Sequence, residues 1–177
     1  MKQLIETTFP CQTGNCLETR NETIFWVDEY PSKEPIPKEI RGKSFTLLKT
    51  NDYGLFTVNN PFQKEITFVA IDAGIFTDSS SKCDFALFDN ERFCFVECKD
   101  SVAKQRSKER NGAFIQLKAT VIRFKKNLNF GNYKIEAQVS MKARMVFPRK
   151  SSSRTDKVKE FEDELSVALF ENNDIEF

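Results

Sequence analysis

Between Lys82 and Asp100 the chain reads KCDFALFDNERFCFVECKD. Asp84, Glu97 and Lys99 sit at the ends of runs that otherwise hold Phe, Ala, Leu, Val and Cys. Two carboxylates and an ammonium brought together suit a divalent cation acting on a phosphate. Mg²⁺ takes a few carboxylate oxygens and completes its octahedron with water and phosphate oxygens. The chain has no histidine. That excludes Ser-His-Asp and Cys-His nucleophilic catalysis, histidine-ligated metal enzymes and nucleases with a histidine base. Acid–base work falls to Asp, Glu, Lys, Tyr or metal-bound water.

Two strands joined by a turn would position the trio. Aromatic and β-branched residues on both sides of Asp89-Asn90-Glu91-Arg92 predict a hairpin. A loop of two or four residues makes Phe88 face Phe93, Ala86 face Phe95 and Asp84 face Glu97. Side chains alternate with period two, so Lys99 shares a face with Glu97. Opposed Cβ atoms lie roughly 5 Å apart, and like charges so placed repel; a half-buried pair shifts its pKa or takes a cation. A three-residue loop would instead set Cys98 opposite Asp84. The plain alternative is an edge-of-sheet salt bridge in which Lys99 neutralises Glu97.

With 177 residues, 40% hydrophobic and 30% charged, the chain has the make-up of one ordinary globular domain. No apolar run approaches a membrane span, and MKQLIETTFP lacks the apolar core of a secretory signal. Five cysteines, an odd number at scattered spacing, point to reduced thiols and a cytoplasmic protein. Cys11-x4-Cys16 is poor zinc spacing. Charge is uneven: residues 1–100 carry net −5, residues 101–159 net +13 and residues 160–177 net −7. A basic segment after the carboxylates suits a polyanion; a solvated face balanced by the acidic tail is the simpler explanation.

Taken in order, Met1 to Thr8 reads as a short helix ended by Phe9-Pro10, and Cys11 to Cys16 as a turn. Thr23 to Val27 reads as a strand, and the prolines of 31–37 mark a loop. Ser44 to Lys49 and Leu55 to Val58 flank a Gly-containing turn and predict a second hairpin. Trp26 and Tyr30 read as packing residues. Glu65 to Asp72 is a strand feeding the central hairpin, and Gly74 to Lys82 a loop, where Asp72 and Asp78 are further candidate ligands. Asp100 or Ser101 can cap a following helix, with Asn111-Gly112 either interrupting it or marking a turn. Within it Phe114, Leu117, Val121 and Phe124 form an apolar stripe. Tyr133 to Arg144 alternates as a strand, 144–154 is a basic loop, and Thr155 to Leu165 is a helix with Asp156 as cap. Val167 to Phe170 reads as a last strand, and ENNDIEF as a polar end.

The constellation Asp84…Glu97-Cys98-Lys99 resembles the PD-(D/E)XK nuclease superfamily, with Cys83 where that family often has Pro. The resemblance implies an α+β fold with a mixed central sheet, flanking helices and a restriction-endonuclease-like core. One nuclease-like domain would span 1–177: a strand-rich N-terminal region over 1–64, a catalytic core over 65–145, and a helix with an acidic tail over 146–177. The resemblance implies a metal-dependent nuclease, on DNA first, with Asp84, Glu97 and Lys99 catalytic. Asp84, Glu97 and the Cys98 carbonyl would hold Mg²⁺ or Mn²⁺. Lys104, Arg106, Lys108, Arg110, Gln116, Lys118 and Arg123 would meet nucleic acid. Relatives place Gln on this helix with Tyr four residues later; here Gln116 is followed by Thr120, and an ordinary exposed Gln stays open. The fourth acidic group is unassigned, with Glu6 and Glu39 as candidates. A homodimer or a subunit of a larger complex is open, and no membrane is implied. The alternatives are a non-catalytic nucleic-acid-binding or assembly subunit and a protein-interaction module.

Overall fold

The computed structural model describes residues 1–31, 35–49, 56–99, 105–141 and 152–177, the side chains of 152–155 excepted. In chain order the elements are α1 (Lys2–Thr8), β1 (Leu17–Arg20), β2 (Ile24–Glu29), β3 (Ser44–Leu47), β4 (Phe56–Asn59) and β5 (Ile66–Ala70). They continue with β6 (Phe85–Phe88), β7 (Arg92–Lys99), α2 (Arg106–Asn127), β8 (Lys134–Met141), α3 (Ser152–Leu165), β9 (Ala168–Glu171) and β10 (Asp174–Glu176). The fold is mixed α+β. No described helix is long and apolar enough to cross a membrane.

The larger sheet runs β1-β5-β6-β7-β8-β9. From β1 to β7 neighbours are antiparallel; β7-β8 and β8-β9 are parallel. Parallel neighbours need a crossover, and α2 and α3 supply the two. β5, β6 and the centre of β7 are buried on both faces, so apolar runs replace alternation there. Phe93 and Phe95 face α2, where Phe124 packs with ring centroids 6.0 and 5.0 Å away. Phe9 and Phe76 close the same cluster at 4.8 and 5.9 Å from Phe124. On the opposite face Phe85 meets Phe56 of the smaller sheet at 5.4 Å. The hairpin therefore lies between a helix layer and a second sheet.

The smaller sheet corrects two expectations. Its order is β10-β4-β2-β3, so Ser44–Leu47 and Phe56–Asn59 form no hairpin with one another. β2 lies between them, pairing Trp26 with Leu47 on one side and with Thr57 on the other. As an inner strand it turns Phe25 and Val27 into the core. The connecting turn of the expected hairpin lies outside the described residues. The polar end is also a strand: β10 runs parallel to β4, with Ile175 and Phe177 buried.

A third correction concerns thiols. Cys83, Cys94 and Cys98 carry thiols outside any disulfide, but Cys11 and Cys16 form one. Gly14 (φ +64°) and Asn15 (φ +43°) fold the intervening turn back, which brings the two Cα atoms to 5.7 Å, within disulfide reach. α2 is continuous through Asn111-Gly112; its expected caps, Asp100 and Ser101, lie outside the described residues, as does Lys104. α3 begins before Asp156, so that residue lies inside the helix.

Phe124 joins four aromatic rings at the centre of the helix-facing core. Phe124→Ala should lower unfolding free energy by roughly 3–5 kcal/mol, the range for a large aromatic deleted from a core. Urea denaturation checks this through a lower midpoint at unchanged slope.

Candidate active site at the end of the central hairpin

The β6–β7 register pairs Phe88 with Phe93, Ala86 with Phe95 and Phe85 with Val96. This is the register expected for a two- or four-residue loop. Asp89 holds the turn: its Oδ1 accepts from Glu91 N–H at 2.8 Å and Arg92 N–H at 2.7 Å. One step beyond Phe85 and Val96, Asp84 stands opposite Glu97. The backbone ladder ends there and the two carboxylates take over its hydrogen bonds. Asp84 N–H donates to Glu97 Oε2 at 3.1 Å, and Cys98 N–H donates to Asp84 Oδ2 at 2.6 Å. Each carboxylate thus grips the partner strand's backbone.

Both carboxylates are buried; Glu97 is 0% and Asp84 8% exposed. Burial, with the nearby charges of Glu29 and Asp72, pushes the Asp84 carboxyl up to about 7, although the Cys98 N–H and Lys99 pull the other way. Burial and then the Asp84 charge hold Glu97 well above the carboxylate range. Lys99 shares the face and ion-pairs with Glu97 Oε1. Burial alone would lower its ammonium, but the charges of Glu97, Asp84 and Glu109 outweigh that and raise it above the ordinary lysine value. Lys99 is therefore an ammonium throughout the physiological range.

α2 fixes the trio from above. Lys99 Nζ donates to Gln116 Oε1 at 2.6 Å, and Gln116 Nε2 donates to Lys82 O at 2.9 Å. One turn on, Thr120 Oγ1 accepts from Cys83 N–H at 2.8 Å and donates to Gln116 O at 2.9 Å. Two helical side chains four residues apart thus hold the two residues before Asp84. Gln116 lies off the apolar stripe yet is half-buried and engaged at both ends of its amide. Sequence reasoning names Thr120 only as the residue four positions after Gln116 and gives it no role. Its only signal is a hydroxyl inside the stripe's span, the i+4 neighbour of Gln116.

The other carboxylates divide clearly. Asp72 acts on both Asp84 and Glu97 and ion-pairs with Lys82 at 3.4 Å. Glu29, at the end of β2, acts on Asp84. Sequence reasoning passes over Glu29 because it ends a strand of the other sheet. Asp78 is engaged elsewhere: the Ser80 hydroxyl and then Arg123, at 2.9 Å, bring it down to about 2. Glu6 and Glu39 are exposed on α1 and on a single turn of 3-10 helix.

The donor set is hard oxygen. Glu97 Oε1 is buried against the Lys99 ammonium. Asp84 Oδ1 accepts no hydrogen bond among the described residues. Hard oxygens of this kind would suit Mg²⁺ or Mn²⁺. No group of three or more ligating side chains gathers among the described residues, so water, a backbone carbonyl such as that of Cys98, and phosphate oxygens would complete the shell.

The basic residues of α2 are largely used within the fold. Arg110 pairs with Glu171 at 3.2 Å and Lys118 with Glu164. Arg123 pairs with Asp78 and stacks 3.5 Å above the Phe76 ring. Arg106 is half-buried, and Lys108 is exposed.

An acid whose folded pKa is raised contributes stability that is present below its unfolded value and lost as pH rises toward the folded value. Metal-free protein should therefore weaken from about pH 4 to above pH 7 on account of Asp84. Asp84→Asn removes one charge and keeps an oxygen for the Cys98 N–H. At pH 8 it should raise stability by about 1–2 kcal/mol, or roughly 2–8 °C in Tm for a chain of this size. The gain should shrink toward pH 4 in thermal melts; a loss at pH 8 would contradict the burial argument.

No family model matches this chain, nor does any curated protein or solved structure, so a functional reading rests on the geometry of the hairpin end itself.

Proposed function

We propose that the chain is a metal-dependent nuclease that hydrolyses phosphodiester bonds, in DNA first, at Asp84, Glu97 and Lys99. The observation that carries the reading is the convergence of two buried carboxylates on one face with an ammonium held by Gln116. Burying two like charges opposes folding unless something compensates them, and hydrophobic residues of similar volume would often be more stable. Such a feature belongs to a site more naturally than to a core.

Asp84 and Glu97 would hold Mg²⁺ or Mn²⁺, with the Cys98 carbonyl as a further ligand. A bound metal of this kind supplies polarisation of the scissile phosphate and a water of lowered pKa. Lys99, as a permanent ammonium, is unsuited to the role of general base. It stabilises negative charge developing on the phosphate. Gln116 fixes where that ammonium sits, and Thr120 and Gln116 together fix the backbone that leads into Asp84. The exposed Lys108 suits a sequence-independent contact with the phosphate backbone.

A second reading has its own support. Lys99 already neutralises Glu97, and Arg110, Lys118 and Arg123 are spent on internal pairs. A non-catalytic nucleic-acid-binding or assembly subunit would carry the same features.

The deciding measurement is cleavage of end-labelled DNA and RNA with Mg²⁺ or Mn²⁺. Glu97→Ala and Lys99→Ala should each reduce cleavage by about a thousandfold, the scale of losing a principal charge stabiliser. Gln116→Ala should cost roughly 10–100-fold, as loss of an outer-shell partner does. Cleavage surviving both principal substitutions would refute the site. Salt-dependent binding without cleavage would favour the subunit.

A further inference from the structure

The disulfide lies two hydrogen-bonded steps from the site. Its turn is bound to the segment on which Asp84 rests. Gln12 N–H donates to Gly74 O at 3.1 Å, and the Thr13 hydroxyl donates to Ala73 O at 2.7 Å. Ala70 N–H donates to Cys16 O at 2.8 Å. From the smaller sheet's side, Lys43 Nζ donates to Thr13 O at 3.2 Å and to Gly14 O. The 70–76 segment is tightly wound: a Cβ on Gly74 would come within 2.2 Å of Ala70 O. The segment's far side is bonded to the catalytic strand. Ile71 N–H and Asp72 N–H both donate to Asp84 O, at 2.9 and 3.2 Å.

We propose that the Cys11–Cys16 disulfide is a redox-sensitive clamp that fixes the 70–76 turn and, through it, the backbone of Asp84. Cys11 is exposed and Cys16 only 1% exposed, so a reductant reaches the link from one side. A thiolate of a small dithiol attacks Cys11 Sγ, and Cys16 Sγ leaves as a thiolate. The dithiol's second thiol then attacks the mixed disulfide and releases Cys11. Two electrons pass to the protein, the dithiol ends as a cyclic disulfide, and its two protons end on Cys11 and Cys16. Hydrogen bonds at a partly exposed turn contribute little each. The covalent closure limits how far the turn can open, and so adds its constraint to the buried packing of Ile71, Ile75 and Phe76 in fixing the segment.

The test uses the full chain with and without dithiothreitol. Alkylation of denatured protein followed by mass measurement should count three reactive thiols before reduction and five after. Amide hydrogen exchange at Ala70, Ile71 and Asp72 should quicken tenfold or more on reduction, with β8 amides unchanged. Cys11→Ser, at an exposed position, should reproduce the reduced pattern without any reductant. Five thiols in unreduced protein would overturn the clamp. So would unchanged exchange at 70–72, or a uniform rise that includes β8, which would mark a global effect. None of these readouts needs cleavage, so the clamp stands or falls separately from the nuclease reading.

Discussion

Two carboxylates buried side by side at the end of an antiparallel hairpin set the terms for everything around them. Desolvation and mutual repulsion both oppose their ionisation. The surroundings offer each a specific compensation. Cys98 N–H serves Asp84, Asp84 N–H serves Glu97, and Lys99 supplies a positive charge held in place by Gln116. Removing any one leaves a buried charge less satisfied, so the group behaves as a unit and its members are not additive. Asp89 shows the contrast at the hairpin's other end. Its carboxyl lies below the ordinary value because two backbone N–H groups and Lys64 outweigh burial.

The core explains why the pair can be held so closely. The hairpin is flanked by β5 and β8, covered by α2 on one face and backed by Phe56 of the smaller sheet on the other. Dense packing on both faces leaves its end little freedom. The parallel β7–β8 pairing requires a helix that leaves the site and returns across the sheet. That requirement carries Gln116 and Thr120 over the residues preceding Asp84. The topology thus delivers both the trio and the side chains that orient it.

The hairpin was legible because its signals agree: aromatic runs, a polar turn, and a period-two pattern that places Asp84 opposite Glu97 at an even loop length. α2 and β8 were legible from periodicity, and the N-terminal helix from its break at Phe9-Pro10. The smaller sheet was not. Ser44–Leu47 and Phe56–Asn59 are consecutive strands of the sequence and look like partners, but β2 pairs with both and separates them, a tertiary matter that local pattern does not carry. β10 escaped because only Ile175 and Phe177 carry its apolar signal. The disulfide escaped because an odd cysteine count says nothing about one close pair. Thr120 and Glu29 join the site through space: Thr120 was legible only as the residue four positions after Gln116, and Glu29 ends a strand of the second sheet, where no sequence spacing points to it.

Charge settles a further point about the basic segment. Among the described residues, part of that charge is met inside the molecule, where α2 answers the acidic C-terminal elements through Lys118–Glu164 and Arg110–Glu171, and Lys125 binds the carbonyl of Leu165. The hairpin end is left as an acidic place: Asp84, Glu97, Glu29 and Asp72 act there against Lys82 and Lys99. A phosphodiester arriving at that face adds another negative charge. Protons or a divalent cation must supply the difference, and both act on the same two carboxylates. On the nuclease reading, the cation is then as much a condition for phosphate binding as for hydrolysis, and raising the pH while withholding metal works against both.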